Sequence, residues 1–509
     1  MKGKQKRLNV ERLWGERFEA LPPREIIEFL SGRDVRGLPP CDERLIPYDL
    51  WGSRAHVLML CRQGILSKRD GRKILRGLRT IEALHERGRF TLDPSKEDVH
   101  SNVESFLIQK LGIEYGGKVH TGRSRNDQVA LDMRLYLRDE VLIFVERVLG
   151  LAEVLLKKAD EHGSTPMPGY THHQRATATT FGHLLLSFVA ALERDVERFL
   201  HWFLLFNQNP LGAAAGYGTS FDLDRVLTSR LLGFDGPTEN VLDPVTQRWE
   251  PEAELAYDAA AMMNHLSGLA QTLILLSTEE FGMISLDDRH CSGSSIMPQK
   301  RNPDVLEVIK AKASYAQGVL VSLLSVGKGL FTGYNRDTQW TKYWIMELVD
   351  ESKSSLPVMT EVIRLLRVDR ERMLDLAGKG FIGATPLMEW IVRSWRLPMR
   401  KAKMILERAV RYSEKEGGTE ISYEAFQKAL RETGIEIQVT AQDLATVQRP
   451  EWFLSHSRSV GTASERRVKG AIAFLRRRVG AGRSRCLRFK ARIEKARSLT
   501  AKMEKERRG

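Results

Sequence analysis

Apolar residues recur at three- and four-residue steps over unusually long stretches of this chain. Between residues 126 and 162, Val129, Met133, Leu137, Val141, Val145, Val148, Ala152 and Leu155 make one stripe with no proline to break it. That periodicity predicts a helix, about 55 Å long at 1.5 Å per residue. Similar patterns cover residues 175–207, 251–282, 303–327 and 340–366. Period-two alternation is scarce, so the expected class is all-α. Helices of this length cannot bury their stripes inside one small domain. They predict an elongated bundle completed by other subunits. The pattern divides the chain into an irregular N-terminal domain (1–122), a central helical bundle (123–366), a smaller helical domain (367–480) and a basic tail (481–509).

Composition narrows the class. With 42% apolar and 28% charged residues, the chain reads as a soluble globular protein, and its 509 residues are enough for two to four domains. The longest apolar run, near Leu184–Leu192, is interrupted by Ser187 and closed by Glu193 and Arg194, short of the ~18 residues a membrane span needs. The basic N-terminus lacks the apolar core of a secretory signal. Cys41, Cys61, Cys291 and Cys486 have no metal-type spacing and read as reduced thiols of a cytoplasmic protein. The net charge of +14 is concentrated at one end, because residues 466–509 carry seventeen Lys and Arg against three Glu. Such a run binds polyanions or forms a solvated helix. Charge alone is a weak mark of nucleic-acid binding.

Candidate chemistry lies in the loops between helices, where function usually sits on a rigid scaffold. The richest is GSSIMPQKRNPD, from Gly293 to Asp304, with Glu307 beyond it. Two prolines forbid a continuous helix there. Asn302-Pro303 reads as an N-cap followed by proline at the first helical position, so the loop ends on a helix N-terminus that favours anions. Four other polar loops accompany it: KVHTGRSRNDQ (118–128), MPGYTHHQ (167–174), the glycine-rich run from Asn209 to Arg225, and GYNRDTQ (333–339). His100, off the apolar stripe of its own segment, is a further candidate.

Together these loops offer cations, amides, hydroxyls and an exposed histidine. Phosphate-cradle and dinucleotide fingerprints are missing from the sequence, and neither a metal nor a cofactor is expected. The donors suit a small polyanion. Proton abstraction beside a carboxylate, followed by loss of a leaving group, builds an aci-carboxylate dianion that needs such donors. It also needs a base and an acid. Lys300 and Asn302 would serve the dianion, and Ser294 and His172 the proton transfers.

The motifs resemble those of a known family. GSSIMPQKRNPD is similar to the mobile-loop motif of the fumarase/aspartase superfamily, while HTGRSRNDQV, MPGYTHHQ and YNRDTQ narrow the resemblance to the argininosuccinate lyase family. DVHSNVE and SVGTASERRV support it, and the likeness runs from about residue 13 to 478. It implies a three-domain homotetramer with each active site assembled from three subunits, acting without a cofactor on a small dicarboxylate. By position it implies Ser294 as base, His172 as partner acid, Glu307 as the carboxylate orienting His172, and Lys300 and Asn302 as dianion stabilisers. Arg125, Asn126, Thr171, Tyr334, Gln339 and Lys342 fall at substrate-binding positions.

Three departures bear on the half of the substrate carried by the succinyl nitrogen. Leu38 stands where the family has a serine, Ala213 and Ala214 replace Ser and Gly, and Trp340-Thr341 replace an acidic pair. The expected reaction is cleavage of argininosuccinate to arginine and fumarate. The alternatives are a related C–N lyase using another N-substituted aspartate, and a catalytically silent relative with a structural role.

Overall fold

The computed structural model describes residues 41–507. Leaving one-turn helices aside, the order begins α1 (Ile46–Arg62), α2 (Lys68–Glu86) and α3 (Val99–Leu111). It continues with α4 (Arg125–Glu161), a hairpin of β1 (Pro166–Thr171) and β2 (Gln174–Thr180), α5 (Phe181–Phe206), α6 (Arg225–Leu232), α7 (Glu250–Leu276), α8 (Asp304–Gly327) and α9 (Asp337–Leu365). Six shorter helices follow, α10–α15, from Arg370–Ala377 to Pro450–His456, and then the long α16 (Glu465–Glu506). The protein is all-α, with two small two-stranded sheets among the described residues.

Helix ends follow local chemistry. Ser124 caps α4 in a reciprocal box with Asp127, satisfying two otherwise orphaned N–H groups. Through its first half α4 is buried on every face, from Asp127 to Arg138, as expected of a helix at the centre of a bundle. It packs on α5, α9 and α16, while α7 packs on α8, α5 and α9.

Three expectations are corrected. The pattern at 175–207 is not all helix. Residues 174–180 pair with 166–171 as a hairpin, and α5 starts only where the Thr180 hydroxyl accepts from His183 N–H. β-Branched Thr177, Thr179 and Thr180 favour the strand, but the run is too short to show against the helix that follows. At α8, Pro303 itself is the N-cap and Asp304 the first helical residue, one position later than expected, because Asn302 is held in a bridge to Ser292. An uncharged stretch was also overlooked. Residues 259–276 of α7 carry no charge, which makes α7 long and apolar enough to cross a membrane by composition. In this fold it is a core helix, with Met262, Met263, Leu266, Leu269 and Leu273 fully buried.

Two apolar cores emerge. The larger joins the elements from Leu45 to Leu376 and takes in Val468, Ile472, Val479, Cys486 and Ile493 of α16. The smaller spans Leu387 to Val447. The basic segment is thus the second half of one continuous helix bound to the main body. Gly482 allows that close approach, since a Cβ there would sit 2.9 Å from Val196. The charge of α16 is met by a row of acids on α4 and α5: Arg478–Glu193 at 2.6 Å, Arg483–Glu153 at 2.6 Å, Arg485–Glu197 at 2.8 Å, Lys490–Glu146 at 2.5 Å and Arg497–Asp139 at 3.2 Å.

Candidate active site

The sequence candidates fall into three groups on one chain. The first lines a small polar cavity of about 50 Å³ between the start of α4, the loop before α3 and the loop before α9, where Arg125, Asn126, Tyr334 and Gln339 meet Glu97, Asp98, His100 and Arg336. Arg125 Nη1 donates to Glu97 Oε2 and Asp98 Oδ2, each at 2.9 Å. Burial works against the charged guanidinium, but Asp98 and Glu97 outweigh it and raise its pKa. The expected carboxylate contact is therefore already held by two carboxylates of its own chain. Asn126 Nδ2 donates to Ala215 O at 3.4 Å, and the Gln339 carbonyl oxygen accepts from Arg248 Nη1 at 3.3 Å and Tyr334 OH at 3.5 Å.

Lys342 lies beneath this group and does not line the cavity. It is 2% exposed, and its Nζ sits 2.5 Å from Asp42 Oδ1, whose other oxygen accepts from Val99 N–H at 3.1 Å. Burial opposes both charges. Lys342 nonetheless holds the Asp42 carboxyl below the usual range, and Asp42 in turn raises Lys342. His100, at the cavity edge, shares a buried cluster with Asp49 and Asp132. Its Nδ1 is 2.6 Å from Asp49 Oδ2, while burial and the Asp49 charge push Asp132 well above the usual carboxylate range.

The second group is the tip of the β1–β2 hairpin. Thr171 pairs with Gln174, so His172 and His173 form a two-residue turn with φ of 53° and 60°. Hairpin turns of this hand favour Asn-Gly, and each histidine held there costs about 1–2 kcal/mol. Thr171 and His172 are exposed.

The third group is the loop 293–301, closed at its base by paired hydrogen bonds between Ser292 and Asn302 of 3.0 and 2.8 Å. Arg301 anchors one side, donating to Leu286 O at 2.9 Å and Asp288 Oδ1 at 2.5 Å. Ser294 Oγ accepts from Met297 N–H at 3.1 Å and Ile296 N–H at 3.4 Å. Two N–H donors on one hydroxyl oxygen stabilise negative charge there, as at a helix N-terminus. Lys300 is exposed in the loop, and Glu307 is exposed on the first turn of α8. Asn302 Nδ2 turns inward to Gly293 O and Ser292 Oγ, each at 3.4 Å.

No hydrogen bond or ion pair joins these three groups among the described residues. Glu97, Asp98, Arg336, Asp42 and Arg248 were missed from sequence. Asp98 alone carried a local signal, as the cap of α3. Of the departures, Ala213 is fully buried and lies away from the cavity lining. Gly212 and Ala214 donate their N–H groups to Asp127 Oδ2, each at 2.9 Å. Trp340 is half-buried beside Tyr343, and Leu38 lies outside the described residues.

The long helices, the cavity and the exposed serine loop define an all-helical lyase. A family model described as Lyase matches residues 42–318. A class II fumarase from Schistosoma mansoni shares the fold with a TM-score of 0.69 at 16% identity, covering 89% of this chain and 100% of its own. An EDDS lyase solved with formate is nearer, with a TM-score of 0.84 at 30% identity over 96% of each chain. Argininosuccinate lyase from Hahella chejuensis is 39% identical over 92% of this chain and 97% of its own, and that from Heliobacterium mobile 44% identical over 75% and 82%. The chain belongs to the argininosuccinate lyase family, a family of carbon–nitrogen lyases.

Proposed function

We propose that this protein cleaves argininosuccinate by β-elimination, releasing arginine and fumarate. The observation that carries the reading is Ser294, whose Oγ receives two backbone N–H groups in an exposed loop that also bears Lys300. A serine becomes a base only where its alkoxide is stabilised, and this loop brings donors to it. In the scheme, Ser294 removes a proton from the succinyl carbon. Lys300 and Asn302 hold the dianion that forms. His172, oriented by Glu307, protonates the departing nitrogen. Thr171, Asn126, Tyr334 and Gln339 bind the substrate, and Arg125 and Lys342 keep the cavity in shape.

One chain carries the three groups as separate surfaces, which supports a homotetramer with sites assembled from three copies. Tyr257 on α7 and Val308, Val321 and Leu324 on α8 are exposed apolar residues on the bundle helices, the kind of surface that another copy covers. Four free thiols suit work in the cytoplasm.

The likeness to the EDDS lyase, named with bound fumarate in one structure at 29% identity, favours as second reading a lyase for another N-substituted aspartate. Ultraviolet absorbance of released fumarate, with argininosuccinate and with EDDS as substrates, separates the two. Release from argininosuccinate is expected. Release only from EDDS would overturn the first reading, and a Ser294→Ala variant with full activity would overturn the role of the loop.

A further inference from the structure

The basic helix α16 divides its cations into two sets. Those on its flanks are paired with the acids of α4 and α5, and Arg476 and Arg492 are held likewise by Asp160 and Asp235. Arg466, Arg477, Arg488 and Lys495 are exposed, and their side chains make no hydrogen bond or ion pair among the described residues. These four are eleven, eleven and seven residues apart on the helix. At 3.6 residues per turn the steps are close to three, three and two whole turns, so the four fall on one line about 44 Å long. The line ends at Lys502, which sits 4.0 Å from Glu506.

Each of the four stands two residues, about half a turn, from a core residue: Val468, Val479, Cys486 and Ile493. The ridge therefore faces directly away from the body of the protein. No acid shares it, since Glu465 and Glu494 are each about 100° round the helix from the adjacent cation. The exposed apolar residues of α16, Phe474 and Leu487, fall to either side. The helix packs on α1, α4, α5 and α6, whereas the exposed apolar residues that suit another copy are on α7 and α8. The ridge and that surface thus belong to different helices.

We propose that this ridge is a docking surface for double-stranded nucleic acid, held through its phosphates without reading sequence. An outward row of unpaired cations, free of acids, is complementary in charge to a phosphate backbone. A duplex carries one negative charge per about 1.7 Å of its axis, so a ridge laid along it meets phosphates over its whole length. Such contacts position a protein without specifying bases. A lipid surface fits less well, because a helix lying on a membrane buries an apolar face in it, and the apolar face of α16 is taken up by the core. A second copy would set the same charges against each other. None of the four cations belongs to the groups assigned to fumarate release.

The test is fluorescence anisotropy of a labelled DNA duplex with the full chain, at KCl concentrations between about 50 and 200 mM. Four phosphate contacts give a slope of log affinity against log salt of about −3.6, a loss of about 10²-fold over that range. The combined variant Arg466→Gln, Arg477→Gln, Arg488→Gln and Lys495→Gln is expected to lose binding, with each single change reducing the slope by about one. A second combined variant, Arg478→Gln, Arg483→Gln, Arg485→Gln and Lys490→Gln, removes the same charge from the paired flanks and is expected to keep the slope. Fumarate release and melting temperature are expected to be unchanged in the ridge variant. No binding at the lowest salt, or equal losses in the two variants, would overturn the proposal, the second by tracing binding to net charge. Tighter binding to phosphatidylserine vesicles than to the duplex, or a changed molar mass of the ridge variant in light scattering, would overturn it in favour of a lipid surface or a second copy.

Discussion

The cavity around Arg125 and the loop around Ser294 are built on opposite principles. In and beneath the cavity the polar groups are tied to their own chain: Arg125 to Glu97 and Asp98, Gln339 to Arg248, and Lys342 below to Asp42. The loop is pinned only at its base, by Ser292, Asn302 and Arg301, and lifts Ile296 into solvent at 83% exposure. The His172 turn is likewise exposed and held at positive φ. In the proposed scheme recognition falls to a prebuilt wall, while the groups proposed for proton transfer sit on exposed projections. Rigid placement suits binding specificity. Exposed projections suit a site that closes around substrate and excludes water only then.

The comparison can be broken most sharply at the chemistry. Ser294→Ala and His172→Asn are each expected to slow fumarate release by about 10²–10⁴-fold, the range for a lost proton-transfer group, with the melting temperature unchanged. If the two groups come from different copies, unfolding and refolding the two dead variants together should regain part of the activity. No recovery in such a mixture would show that one chain completes its own site.

Next in size is the floor of the wall. Lys342→Met leaves Asp42 buried without its partner, and the expected loss is about 3–5 kcal/mol, read by denaturant unfolding. A loss below 1 kcal/mol would mean that the cavity does not depend on this pair. Smaller again, Arg125→Gln frees Glu97 and Asp98 and is expected to raise KM about tenfold, about 1.4 kcal/mol, by adding repulsion toward an anionic substrate. A fall in kcat alone would contradict the positioning role. A further effect, confined to high pH, lies away from both regions. Asp258 on α7 is 2% exposed, and burial pushes its carboxyl up to about 8. With a folded pKa above the unfolded one, ionisation destabilises the fold increasingly as pH rises from about 4 to 8. Asp258→Asn should therefore raise the melting temperature at pH 8 and have little effect near pH 4; a gain that does not grow with pH would refute this.

The long helices were legible because their signal is local. The α4 stripe, unbroken by proline, predicted an element from 126 to 162, and Arg125–Glu161 is what forms. The hairpin was not legible, since its strands are six and seven residues long and run into the apolar pattern of α5. The loops rich in polar groups were recognisable from composition and motif. Which of their side chains face a cavity was not: Lys342 reads like its neighbours in YNRDTQWTK, yet points inward.

By itself, then, the sequence determined the helices, their caps and the loops that carry hydroxyls, amides and cations, because periodicity and turn chemistry act within a few residues. Tertiary structure alone decided the contacts between distant segments. Lys342 meets Asp42 across 300 positions, and Arg248 meets Gln339 across 91. The basic end of the chain joins the main core because Val479, Cys486 and Ile493 pack into it, and acids on α4 and α5 face its charges. Such pairings depend on how whole helices pack, and no local stretch of sequence encodes that.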